Sequence, residues 1–106
     1  MTINEYQTLA MTTLNKELSN DQVLLNGVMG LCGESGEVID IVKKHISQGH
    51  ELKRVKLIEE LGDVAWYLAE TTYALGVDLE SVLQGNIDKL KKRYPDGFSV
   101  EKSVNR

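Results

Sequence analysis

Apolar residues recur along most of this chain at alternating steps of three and four, the spacing by which an α-helix gathers its apolar side chains into one stripe. The clearest case lies between Gln22 and Ser47, where two stripes run side by side. One is Val28, Cys32, Ser35, Ile39, Val42, Ile46, and the other is Leu24, Gly27, Leu31, Glu34, Val38, Ile41, His45. An arc that wide predicts burial on more than one side. A second seam of Leu57, Leu61, Val64, Leu68 and Leu75 predicts a helix from about Glu51 to Leu75. Thr2 followed by Glu5 has the form of a capping box and predicts an opening helix to about Leu18. Asn20 or Asp21 is expected to cap the long helix, Gln48-Gly49 to end it, and Gly76 to stop the next. Asp78 should cap a last helix from Leu79 to about Arg93, which Tyr94-Pro95-Asp96-Gly97 terminates. Phe98 and Val100 of the tail at 98–106 are expected to dock. Pro95 is the only proline, so 94 residues run without that helix breaker. The pattern predicts an all-α, four-helix bundle-like fold in a single domain over 1–106, without repeat, linker or low-complexity segment.

Acidic residues interrupt the stripes. Glu34 stands where Leu is expected in one of them, Glu60 is flanked by Leu57 and Val64, and Asp63 borders the same seam. Glu34 pairs with Glu37 and Glu60 with Asp63, each at a three-residue spacing, and 22 residues separate the pairs. Three residues turn a helical side chain by about 300°, so each pair lies on one face with Cβ atoms about 5–6 Å apart. Like charges that close destabilise a helix, and a buried ionised carboxylate costs several kcal/mol unless it is paired or coordinated. Four carboxylates converging from two packed helices would form a hard-oxygen cage for Mg²⁺, or Mn²⁺, left open for a phosphorylated substrate. A di-iron bundle would need His three residues after Glu, but Val42 precedes His45 and Ser47 precedes His50. One Cys and two His offer no closed zinc set.

Composition narrows the partners. The chain has 106 residues, 42% hydrophobic and 26% charged, which is ordinary for a globular domain. A net charge of −4 argues against duplex nucleic acid, although Lys89, Lys91, Lys92 and Arg93 form a basic cluster near the end. No apolar run is long enough to span a membrane, and the start MTINEYQ lacks a signal-peptide pattern, so a cytoplasmic protein is expected. The lone Cys32 is expected to be a buried, inert thiol.

Other residues gain meaning beside the acids. Gly27, Gly30, Gly33 and Gly36 recur every third residue around the first pair, and Gly62 sits inside the second. They suit close helix packing, or room for a ligand beside the backbone. Asn86, Lys89 and Arg93 share one face and could neutralise a polyphosphate. Tyr67, one turn beyond Asp63, could meet a phosphate, line a base pocket or pack in the core. Trp66 is expected at a bundle or subunit interface, His45 as a satisfied, partly buried histidine, and Glu59 in at most an outer role.

The segments GLCGESGEVIDIVKK, EELGDVAWYLA and NIDKLKKRYPDGFS resemble the MazG-like nucleoside triphosphate pyrophosphohydrolases of the all-α NTP pyrophosphatase superfamily, over about residues 23–99. The family's Glu-x-x-Glu and Glu-x-x-Asp motifs fall on Glu34, Glu37, Glu60 and Asp63. The resemblance implies metal-assisted hydrolysis of (deoxy)nucleoside triphosphates to monophosphate and pyrophosphate, with those four as metal-binding and catalytic residues. It implies a homodimer or a dimer of dimers, and a house-cleaning role in the nucleotide pool. Tyr67, Asn86, Lys89 and Arg93 are the expected substrate-binding residues. Gly33 departs from the pattern, since many members carry a further Glu there. Two rivals stay open: a non-catalytic helical module that binds metal or a protein partner, and a phosphohydrolase that removes single phosphates.

Overall fold

The computed structural model describes residues 1–106 and is helical throughout, with no strand. Helix α1 spans Ile3–Ala10, followed by a 3₁₀ turn at Met11–Thr13; α2 spans Asn20–Gln48, α3 Arg54–Ala74, α4 Leu79–Arg93 and α5 Val100–Val104. No helix is long and apolar enough to cross a membrane.

The frame is the α2–α3 hairpin. Gly49 and Gly76 end α2 and α3 in left-handed conformations, with φ of 72° and 73°, which a side chain would strain. The two helices meet closely where α2 lacks side chains. A Cβ on Gly27 would lie 2.5 Å from Thr71 Oγ1 and 3.1 Å from Thr71 N, and one on Gly30 would strike the Tyr67 ring. Gly33 and Gly36 face open space, so packing explains only the first two of the four. Helix α1 crosses the C-terminal half of α3. There Ala10, Met11, Ala69 and Leu79 form the core, with Tyr6, Leu14, Trp66 and Leu68 packed around it. Gln7 is buried and joins three helices: its Nε2 donates to Thr72 Oγ1 at 2.9 Å and Val77 O at 3.2 Å, and its Oε1 accepts from Leu79 N at 3.0 Å. Glu70 has zero exposure, and both its carboxylate oxygens accept from Asn26 Nδ2 at 2.9 Å.

Several sequence expectations need correction. Helix α1 stops at Ala10 instead of reaching Leu18, because the Thr12 and Thr13 hydroxyls donate to the carbonyls of Leu9 and Ala10, at 2.6 and 2.9 Å, and Leu14 is extended. Ser19, not Asn20 or Asp21, caps α2: its Oγ accepts from Gln22 N while its own N–H donates to Gln22 Oε1, a complete capping box. Helix α3 starts at Arg54, later than Glu51. Asp78 caps α4 as expected. Phe98 is 73% exposed and meets only the Tyr94 ring among aromatics, and Val100 is exposed, so neither docks on the frame. Cys32 is exposed because its stripe, with Val28, Ile39 and Ile46, faces outward; only the neighbouring stripe meets α3. His45 is also exposed, although its Nδ1 lies 2.8 Å from His50 O. Trp66 is a bundle contact: its indole N–H donates to Ala10 O and Thr13 Oγ1, both at 3.0 Å.

Helix α4 is buried at Leu79, whereas residues 80–92 are all exposed. It leaves the hairpin instead of packing along it, and the radius of gyration is 16.9 Å. A compact chain of this length would measure about 13 Å.

Candidate metal and active site

The middle of the hairpin brings acids together. Glu34 of α2 and Glu60 and Asp63 of α3 each place a carboxylate oxygen within 4.8 Å of the others. The three-residue spacing puts Glu60 and Asp63 on the face turned to α2, and helix pairing supplies Glu34 opposite. Glu60 is buried at 5% exposure, Glu34 is half-buried and Asp63 exposed. Lys56, one turn before Glu60, places its Nζ 2.9 Å from Glu60 Oε1. Glu34 Oε2 and Glu60 Oε2 are buried with no hydrogen-bond partner.

These orphaned oxygens determine the electrostatics. The Glu34 carboxyl is pushed up to about 7, first by its hydrogen bond with Glu60, then by burial and by the charges of Glu60, Asp63 and Glu37. Glu60 is lowered by that same hydrogen bond and by Lys56. A proton on Glu34 therefore lets the two carboxyls bond. When both are ionised, each is left with a partnerless buried oxygen, and a cation between them would satisfy both. An all-carboxylate donor set facing such a gap fits a hard divalent ion such as Mg²⁺ or Mn²⁺.

Two hollows flank the acids. On one side Thr13, Trp66 and Tyr67 join Glu34 and Asp63 around an open cleft of about 420 Å³. Tyr6 is near enough to feel Asp63: burial, then that charge, raises its phenol. On the other side, at the hairpin turn, Glu37, Asp40, Lys44, His50, Lys53 and Lys56 wall a cavity of about 180 Å³.

The expected site residues thus fall in three places. Glu34, Glu60 and Asp63 converge, and Tyr67 borders them. Glu37 is exposed, outside that trio, and lines the turn cavity, yet its charge reaches Glu34. Asn86 and Lys89 are exposed on α4, and the half-buried Arg93 sets its guanidinium 5.9 Å from the Tyr94 ring centre; none of them lines either hollow. Glu59 is exposed. Sequence reasoning missed Lys56, whose i, i+4 spacing to Glu60 was available as a signal, and Thr13, for which no local signal exists.

Comparison with known proteins bears on the whole chain. No solved structure matches it. It is 34% identical over 114 residues to the Gene 37 protein of Mycobacterium phage L5, with all of both chains covered. The family profile of the MazG nucleotide pyrophosphohydrolase domain matches residues 22–98, which include the hairpin, all three converging acids and α4. On that match, the chain belongs to the MazG nucleotide pyrophosphohydrolase domain family.

Proposed function

We propose that the protein is a Mg²⁺-dependent pyrophosphohydrolase that converts (deoxy)nucleoside triphosphates to the monophosphate and pyrophosphate, clearing the nucleotide pool. The observation that carries this reading is the convergence of Glu34, Glu60 and Asp63 around two buried carboxylate oxygens that are left without a partner when both groups are ionised. Those three, with Glu37 one turn from Glu34, would hold the metal. When bound, Mg²⁺ would supply charge neutralisation on the phosphates and a more acidic water. Glu34 or Glu37 takes the proton of the attacking water. The water oxygen bonds to the α-phosphorus, and the α–β bridging oxygen departs with pyrophosphate. The cleft beside Trp66 and Tyr67 receives the nucleoside, with Tyr67 held in place by its seat against Gly30.

A homo-oligomer completes this reading. Only 11 of 106 residues are buried, and Val28, Met29, Ile39 and Ile46 of α2 and Ile58 and Leu61 of α3 are exposed. An apolar surface that large needs cover. A second copy would supply it and would bring the α4 face of Asn86, Lys89 and Arg93 to the substrate.

Purified protein with Mg²⁺ and a panel of canonical and modified nucleotides tests the reading. Pyrophosphate should be released, and Glu60→Gln should slow release by at least about 100-fold. Orthophosphate as the direct product, or an unimpaired Glu60→Gln, would overturn it.

A further inference from the structure

We propose that the cavity at the hairpin turn, walled by Lys44, Lys53 and Lys56, binds the pyrophosphate end of the substrate. This rests on the reading above and gives the bound nucleotide a direction: nucleoside toward Trp66 and Tyr67, terminal phosphates toward the turn.

Position comes first. The cavity and the acid cluster share a wall, because Lys56 lines the cavity while its Nζ lies 2.9 Å from Glu60 Oε1. Glu37 lines it too, and its charge is felt by Glu34, Lys44 and Lys56 alike. A polyphosphate with its α-phosphorus beside the acids extends either toward the aromatic cleft or toward this cavity. Of the two hollows within one chain, only the cavity is lined by cations.

Charge comes second. Lys44 is held by Asp40 at 2.8 Å, whereas Lys53 makes no ion pair. Lys53 also stands at the N-terminus of α3, the one helix of α1–α4 whose N-cap side chain makes no hydrogen bond and, with a first turn free of acid, one that leaves the Val55 and Lys56 amides without a backbone acceptor. Against these stand Glu37, Asp40 and Glu51, so the metal-free cavity is close to balanced. A divalent ion held at the acids, with Glu37 joining Glu60 as a ligand, would change that balance. It would withdraw one acid from the cavity wall and compete with Lys56 for Glu60, leaving three lysines against two carboxylates. Glu60 lies behind that wall, joined to it through Lys56, and its buried, partnerless Oε2 is the oxygen open to that ion. Metal and phosphate binding are therefore coupled, and the coupling is reciprocal.

Calorimetric titration of the full chain with inorganic pyrophosphate, with and without Mn²⁺, tests this. Mn²⁺ should tighten pyrophosphate binding, and pyrophosphate should tighten Mn²⁺ binding by the same factor. Lys53→Met/Lys56→Met should weaken pyrophosphate by at least about tenfold, more than the charge-matched Lys91→Met/Lys92→Met. Lys53→Ser, at an exposed position, should weaken it in the same direction, which separates lost contact from lost folding. Equal affinities in the two double variants, or no pyrophosphate binding by the wild type with Mn²⁺, would overturn the inference. Pyrophosphate release from nucleotides with unaltered binding in the lysine variants would sink this inference alone; absence of release would sink the functional reading instead.

Discussion

Glu34 and Glu60 compete for one proton, and the competition can be measured. Because Glu34 is pushed up to about 7, it holds its proton below that pH, and an arriving divalent ion must displace it. Mn²⁺ affinity should rise with pH through about 7 and level off above. Titrations in buffers of different ionisation enthalpy should show about one proton released per ion near pH 6 and far less near about pH 8. Equal release at both would refute the shared proton. The glycines make a second residue-scale test. Gly27→Ala forces a Cβ against Thr71 and should destabilise by about 1–3 kcal/mol, whereas Gly36→Ala meets nothing and should gain up to about 1 kcal/mol in denaturant melts. Glu34, Glu60 and Asp63 were legible in the sequence because a carboxylate inside an apolar stripe violates the pattern. Cys32 was misread because a stripe does not say whether a partner covers it. The seating of Gly27 against Thr71 and of Gly30 against Tyr67 was half legible: spacing marked four glycines on α2 but could not tell which of them met α3.

Among elements, α1 matters beyond its eight residues because Gln7 ties it to α3 and α4. Gln7→Leu keeps the size but strips the partners from Leu79 N–H and Val77 O, and should cost about 1–3 kcal/mol in thermal or denaturant unfolding. At the start of α4, the Asp78 carboxyl is held below its usual range by accepting from the Ser81 side chain and backbone. Its contribution is present above the ordinary carboxylate pKa and is lost as pH falls through the lowered one. The melting difference between wild type and Asp78→Asn should therefore be largest near neutrality and shrink on acidification. Long helices with glycine stops and the Asp78 cap were readable, since propensity and capping act locally. The early end of α1 was not, because the threonine hydroxyls that take its last carbonyls also occur inside helices.

At the scale of the molecule, extents of 48 × 41 × 27 Å and a sparse core describe a chain with surface still to cover. Sedimentation should find a dimer or larger at micromolar concentration, and Ile39→Glu, on the outward stripe, should shift it toward monomer while helicity by circular dichroism stays intact. A wild type that sediments as a monomer would leave that stripe unexplained. The departure of α4 from the hairpin was not visible in the sequence, since an amphipathic face looks the same whether its own chain or another meets it. Trp66 has a consequence of its own. It is the chain's one tryptophan, anchored to α1 by its indole N–H while its ring borders the same cleft as Glu34 and Asp63. Tryptophan emission, excited apart from the four tyrosines, therefore comes from a single point at the mouth of the site, so ion or nucleotide arrival can be followed optically in the unlabelled protein.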